Sequence, residues 1–523
     1  DPPYNTPQAS FIYKNNYKHS SWLAMMQNRV AAAMAFLPPE AVFQVAIDDT
    51  ETQNLRSLLD EMFGEVNRIA TIAVEVNPAG QNIRPNVPAL SHDYCHIYVK
   101  DLESGEMLLR ELTEEEKALY TEKDSEGFFL WDNLRRRGGN SRPSDRPKQW
   151  FPLYVDIKRK KVSVEPFDGS EQMWPIDPQG ERRIWRVNPD GARKGILNGE
   201  ISVILKAGRI EVVKKSRMPE GKKPKTLWKD PLYSATTYGT KLLNDIIPNC
   251  PFTYPKSLNL VIDCLKHWAD EESLIVDYFA GSGTTGHAVM ELNRNDNGNR
   301  RYILVEMGEY FDSVLRLRLK RVMYSTEWKD GKPAGKEGIS HIFKYQTLES
   351  YEDALNNIQL QQPQQGELLE FEDYVLKYML EYESRDSACL LNVEKLTKPF
   401  DYELELYGSG EKRRQKVDLV ETFNYLLGVS VNQIKTYSVE AGKRERKYRV
   451  VFGSVEGKSV VVIWRDTEGW DEETLKKDKE FIEKTILNGT APDFLYINGD
   501  SFVPNALPIE KTFKERMFAP ILV

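Results

Sequence analysis

Apolar positions in the first hundred residues change period repeatedly. Trp22, Met25, Val30 and Ala33 recur at helical spacing behind Ser20 and Ser21. That spacing predicts a capped helix running to about Phe36, ended by Pro38-Pro39. Ala41 to Ile47 is almost wholly apolar, as expected of a strand covered on both faces. Glu51 to Phe63 predicts an amphipathic helix closed by Gly64. Arg68 to Val76 and Tyr94 to Val99 predict further strands. The alternation indicates an α/β domain with a mostly parallel sheet.

The pattern changes after residue 103. Strand-like runs at Trp150 to Ile157, Ile201 to Leu205 and Ile210 to Val213 sit among glycine, proline and basic residues. Arg135-Arg136-Arg137, with Arg142, Arg146 and Lys148, form one basic cluster. Lys214, Lys215, Arg217, Lys222, Lys223 and Lys225 form another. Residues 104–240 therefore read as an inserted domain. From 241 to 345 the α/β character returns. Helices are predicted around Leu258 to Trp268 and Thr284 to Leu292, and strands at Leu274 to Tyr278 and Tyr302 to Val305. Gln359 to Gln365 reads as a linker or surface turn. Residues 346–523 read as a last α+β unit, with a hairpin of Tyr448 to Phe452 and Ser459 to Trp464 joined through Gly453 to Gly457.

The 523 residues carry a formal charge of -8, with 40% hydrophobic and 29% charged. That composition is ordinary for soluble domains, and no apolar run has the roughly 20 residues that span a bilayer. The acidic balance argues only weakly against nucleic acid, because phosphate binding depends on local basic surface. The four cysteines are scattered without a CxxC pair, which fits a reducing, cytoplasmic compartment and no zinc ribbon. His92, Cys95 and His96 do not suggest a metal site, since Cys95 and His96 point to opposite faces of a strand. Asp48, Asp49 and Glu51 read as a helix start rather than a metal cluster.

Two short motifs carry chemistry. Asp277-Tyr278-Phe279-Ala280-Gly281-Ser282-Gly283-Thr284-Thr285-Gly286 follows a predicted strand and opens a predicted helix. Glycines there let the backbone approach a ligand closely. Glu306 ends the next apolar strand, where a carboxylate can accept both ribose hydroxyl protons of an adenosine. The bare GxGxxG pattern does not choose between cofactors, so a nicotinamide oxidoreductase stays open on this motif alone. The second motif is Asp1-Pro2-Pro3-Tyr4-Asn5-Thr6. An exocyclic amine on a base is a poor nucleophile, because its lone pair is delocalised into the ring. The Asp1 carboxylate and Pro2 carbonyl are suited to accept both amine hydrogens, which returns electron density to nitrogen. The two prolines stiffen the backbone, and Tyr4 offers a face for stacking a base swung out of the duplex.

Together the motifs resemble the amino-methyltransferases of DNA. Their order, catalytic motif first and cofactor motif last, resembles the β group of these enzymes. The stretches Phe11-Ile12-Tyr13-Lys14, His19 to Leu23, Ile47 to Glu51, His92-Asp93-Tyr94, Tyr238 to Lys241 and Tyr254 to Ser257 resemble the modification subunits of type III restriction–modification systems. So do Phe343-Lys344-Tyr345, Tyr351 to Ile358 and Tyr496 to Asp500. The resemblance is weakest over 104–235, where target recognition would sit.

It implies a Rossmann-like S-adenosylmethionine-dependent methyltransferase core formed from residues 1–103 and 241–345. A target-recognition domain spans 104–240 and a C-terminal α+β association domain spans 346–523. It implies that Asp1, Pro2, Pro3 and Tyr4 are catalytic. Asp277, Phe279, Gly281, Gly283, Thr284, Glu306, Thr253, Lys256 and Ser257 would bind S-adenosylmethionine, with Lys256 facing the cofactor carboxylate. Arg135, Arg136, Arg137, Arg142, Lys214 and Lys215 are candidates for DNA contact. Trp131, Trp150, Phe151 and Tyr154 nearby tip the arginine run towards DNA. No metal is required. Double-stranded DNA, a second copy of the chain and an ATP-driven restriction subunit are the implied partners. Adenine is favoured over cytosine N4 because Asp heads the motif. A solitary modification enzyme and a non-catalytic DNA-specificity subunit are the alternatives. In that family the catalytic motif follows a buried strand, so an upstream continuation before Asp1 is expected. A free ammonium group at Asp1 would oppose binding of a sulfonium.

Overall fold

The computed structural model describes residues 1–6, 16–80, 86, 88–105, 107–335, 337–348, 396–408, 411–441 and 444–517. Helix α1 (His19–Met34) begins at least two residues earlier than the serines suggest. Lys18 stands at its N-cap without a side-chain bond, and Ser20 and Ser21 fall inside the first turn. Trp22, Met26 and Val30, spaced by four, are its buried face. β1 (Val42–Ile47) buries every second residue, Phe43, Val45 and Ile47. Helix α2 (Thr52–Phe63) buries Leu55, Leu59 and Phe63 and ends at Gly64, whose φ of 87° suits glycine. Phe43, Phe63 and Tyr98 stack beside Trp22 and Leu59 in one core.

β2 (Arg68–Glu75) and β3 (His92–Val99) complete this layer, in the order β1-β3-β2. The sheet is mixed, not mostly parallel. β3 runs antiparallel to both β1 and β2, while β1 and β2 share a direction. A strand that follows its neighbour without a crossover helix returns antiparallel, and no helix separates β2 from β3 among the described residues.

Two small sheets follow. One has β4 (Glu122–Asp124), β5 (Gly127–Asn133), β9 (Ile201–Lys206) and β10 (Arg209–Arg217) in the order β4-β5-β10-β9. The other has β6 (Leu153–Asp156) flanked by β7 (Lys161–Ser163) and β8 (Glu171–Met173). Helix α3 (Pro189–Leu197), capped by Asn188, packs Ala192 into a core shared with Leu153, Trp185 and Val203. β11 (Leu227–Trp228) then pairs in parallel with β2. The chain is thus back in the first sheet by residue 227.

Ser257 caps α4 (Leu258–Lys266), accepting from the Leu260 amide. β12 (Leu274–Asp277) pairs in parallel with β13 (Arg301–Leu304), and α5 (Thr284–Asp296) crosses between them. This pair is a sheet of its own, not an extension of the first. Among the described residues no strand bonds β12 to β1, so the two halves of the core carry separate sheets. Leu274, Val276 and Ile303 are about half exposed on the pair. Helix α6 (Leu317–Tyr324) packs Leu319 and Val322 with Met290 and Phe252.

Packing divides the chain into residues 1–339 and 340–523. In the second unit α7 (Leu419–Leu427) precedes β14 (Ser430–Ala441), β15 (Arg444–Val455) and β16 (Lys458–Arg465), an antiparallel run. The predicted hairpin is β15–β16, turning at Glu456-Gly457. Helix α8 (Glu472–Phe481) crosses to β17 (Phe494–Ile497), parallel to β16. Fully buried Arg465 is paired with Asp478, which also accepts from the Tyr448 hydroxyl at 2.9 Å. The linker expected at Gln359 to Gln365, and Phe11 to Lys14 and Tyr351 to Ile358, lie outside the described residues.

Candidate active site

The segment at the start of the chain is fixed by its own side chains. The Trp22 indole N–H donates to the Pro3 carbonyl at 2.8 Å. Buried Asn5 holds a left-handed φ of 61° and donates to the Tyr17 carbonyl at 3.0 Å and to Glu51 at 2.6 Å. Glu51, itself buried, also accepts from Asn54 and meets His19. This network accounts for Glu51 without a metal. Among the described residues no group of three metal-ligating side chains occurs.

Tyr4 donates to Asp93 Oδ2 at 2.9 Å. Burial, then Asp93, push its hydroxyl well above the usual tyrosine range. Lys256 donates to the same Asp93 oxygen at 2.8 Å and to the Tyr4 hydroxyl, and its Nζ lies 3.5 Å from Asp1 Oδ1. The ammonium stands at the hydroxyl edge of the Tyr4 ring, 4.2 Å from the centroid. Four residues from three distant stretches of sequence thus form one cluster.

The glycine turn lies beside it. Tyr278 and Phe279 pack into the same apolar cluster as Tyr4 and Trp22. The turn is held by carboxylates. Asp277 accepts from the Phe279 amide at 3.1 Å and the Thr285 hydroxyl at 2.6 Å. Glu306 accepts from the amides of Gly281 and Gly308, both at 2.8 Å. Gly281 and Gly283 take φ of 52° and 78°, and a Cβ on Gly281 would meet the Phe252 ring at 3.1 Å. Such a side-chain-free turn, with acids at both strand ends, fits an adenosine carrying a cationic tail.

Not every expected cofactor residue faces this space. Thr284 is buried and accepts from Arg318 at 2.8 Å. Ser257 is buried as a helix cap and donates to the Leu232 carbonyl at 2.8 Å. Thr253 is exposed, and its carbonyl accepts from the Thr240 hydroxyl at 3.4 Å. Arg318, a fully buried cation, ties Ser282 and Thr284 to His287, and burial pushes its pKa down to about 10. Sequence reasoning missed Arg318, because a lone arginine in a helix gives no sign of burial. It also gave Asp93 no role, although the residue stands in one of the family-like stretches.

The basic residues also divide. Lys215 is paired with Asp124 at 2.6 Å and lies over the Phe129 ring. Arg135 donates to the Ile176 carbonyl at 2.5 Å. Both serve the inserted sheets. Arg136 and Lys214 are partly exposed, and Arg137 and Arg142 are exposed. Trp150 stacks on Trp174 at 4.7 Å, with Arg182 over its ring.

Residues 1–315 match the family model described as DNA methylase, covering the N6 and N4 amino-methyltransferases. The chain belongs to this family. The DNA methylase region includes the Asp1–Tyr4 segment and the glycine turn, and ends before the second unit. Among curated relatives, the type II methyltransferase M.KpnI of Klebsiella pneumoniae is 33% identical over 318 residues, 58% of this chain and 73% of that protein. The EcoPI Mod subunit of a type III restriction–modification enzyme, from Escherichia phage P1, is 29% identical over 393 residues, 67% of this chain and 59% of that protein. The StyLTI Mod subunit of Salmonella typhimurium is 24% identical over 343 residues, 58% of this chain and 47% of that protein. The chain thus spans only about half the length of these two Mod subunits. Among the described residues of this DNA methylase, no helix is long and apolar enough to cross a membrane.

Proposed function

We propose that this DNA methylase transfers a methyl group from S-adenosylmethionine to adenine N6 in double-stranded DNA, as the modification and DNA-recognition subunit of a type III restriction–modification complex. The observation that carries the chemistry is the cluster in which Asp1, Tyr4 and Lys256 stand beside the Asp277–Gly283 turn. S-adenosylmethionine supplies an electrophilic methyl group on sulfonium. Gly281 and Gly283 leave room for it, with Asp277 near its ammonium end and Glu306 at the ribose. Asp1 and the Pro2 carbonyl accept the amine hydrogens of a flipped adenine, and Tyr4 supports its ring. Fixing nitrogen and methyl in line gives a rate advantage through alignment alone.

The inserted segment after residue 103 reads the DNA, with exposed Arg137 and Arg142 and partly exposed Arg136 as its cations. The second unit serves association into a homodimer and with a restriction subunit in the bacterial cytoplasm. Methylation of unmodified duplex with labelled cofactor, followed by digestion to nucleosides, tests the reading. N6-methyladenine is expected, and N4-methylcytosine or no product sinks it. The 33% identity to a type II enzyme favours one second reading, a modification enzyme acting without a motor subunit. Co-purification of an ATP-driven restriction subunit from the source cells decides between the two.

A further inference from the structure

The stretch from Phe252 to Ser257 touches both pockets. At one end, the Phe252 ring is the wall that a Cβ on Gly281 would strike. At the other, Lys256 enters the space around Asp1 and Tyr4. The backbone between them is pinned. The Pro255 carbonyl comes so close to Gly239 that a Cβ there would lie 2.3 Å from it, and Ser257 is locked as a helix cap. Any change of partner at Lys256 is therefore a swing of its four-carbon stem on a fixed anchor.

The ammonium group occupies what a flipped base needs. It bonds the Tyr4 hydroxyl at the edge of the ring, and it lies 3.5 Å from the Asp1 carboxylate. A carboxylate facing a cation is a weaker acceptor for an amine. We propose that Lys256 is an exchangeable plug of the base pocket. Asp93 holds it there, and a carboxylate-bearing ligand on the glycine-turn side draws it away from Asp1 and Tyr4. Ligand and target base then bind with positive coupling. Asp93 is the positioning residue, since it keeps its bond to the Tyr4 hydroxyl when Lys256 leaves. The proposal rests on the two-pocket reading above. Coupling of this kind is reciprocal, typically about 5–150-fold, and about tenfold is expected here.

The test uses a duplex with 2-aminopurine at the target adenine, located by sequencing modified bases in host DNA. Two ligands are compared at saturation. S-adenosylhomocysteine carries the amino-acid carboxylate, and 5′-methylthioadenosine is the same nucleoside without it. In the wild-type protein, 2-aminopurine emission is expected to rise with the first ligand only. Calorimetry is expected to show the duplex tightening S-adenosylhomocysteine binding about tenfold. In Lys256→Gln, emission is high with either ligand or none, and the duplex no longer alters ligand affinity. In Asp93→Asn, emission without ligand rises part of the way. Emission that ignores the carboxylate in the wild type overturns the proposal, whether or not the variants fold. So does carboxylate dependence that survives in a folded Lys256→Gln. A wild-type protein that binds neither ligand sinks the methyltransferase reading instead.

Discussion

The two halves of the pocket are built on different principles. The glycine turn is made of backbone. Its amides bond to Asp277 and Glu306, its shape is set by two left-handed glycines, and its parts lie within thirty residues of one another. The base side is made of side chains. Tyr4, Asp93 and Lys256 are separated by 89 and 163 positions and meet only in the fold. A backbone site resists most substitutions but fails when a Cβ is added. A side-chain site fails group by group.

The largest effect separates these principles directly. Asp1→Ala is expected to lower the methylation rate about 10²–10³-fold, the scale of losing one aligned transition-state partner. Calorimetric affinity for S-adenosylhomocysteine should stay within a few-fold. If affinity falls in step with rate, the two sides are one site and the comparison breaks.

Gly281→Ala is the reciprocal experiment. It strains a φ of 52° and drives a methyl against Phe252 at 3.1 Å. Ligand affinity should fall by about tenfold, and unfolding free energy by about 1–2 kcal/mol, as measured by calorimetry and denaturant melts. Unchanged affinity would mean that the turn does not cradle the ligand.

The two stretches of chain that supply these halves, 1–103 and 241–345, each contain a histidine that burial keeps neutral. Burial pushes His96, bonded to Thr52 and Thr71, down to about 4. It pushes His287, beside Arg318, down to about 4 as well. The unfolded chain takes up these protons near pH 6.5, while the folded chain does so only near 4. Stability contributed by the neutral rings is therefore intact above 6.5 and lost as pH falls towards 4. Urea midpoints should drop across that window by an amount worth a few kcal/mol in total. His96→Gln, which removes one titration, should flatten the curve, and an unaltered pH profile would count against the assignment.

The smallest effect extends the contrast to the inserted segment. Replacing Arg136, Arg137 and Arg142 with Ala should weaken DNA binding and reduce the salt slope by about 0.9 for each phosphate no longer neutralised. Lys215→Ala breaks the pair with Asp124, so it should lower the melting temperature and leave the slope unchanged. A slope that responds to Lys215 and not to the arginines would reverse the division.

Contiguous features were legible in the sequence. The strand–glycine–helix order from Leu274 onwards, the hairpin at Gly457 and the helix ending at Gly64 each depend on neighbours within a few positions. Local backbone preference and apolar period fix such elements wherever they sit in space. Direction and partnership were not legible. Burial along β3 is the same whichever way the strand runs, so only pairing in the fold showed that it opposes β1 and β2. Lys215 and Arg137 look alike in a basic run, yet Asp124, ninety-one positions away from Lys215, decides that one of them is internal.

The sequence by itself determined the chemistry on offer: a carboxylate ahead of two prolines and an aromatic ring, and a turn stripped of side chains. The tertiary structure alone decided that Asp93 holds Tyr4 and that Lys256 stands between the two. Charges so far apart in the chain interact only after folding has brought them within a few ångströms and removed the water between them.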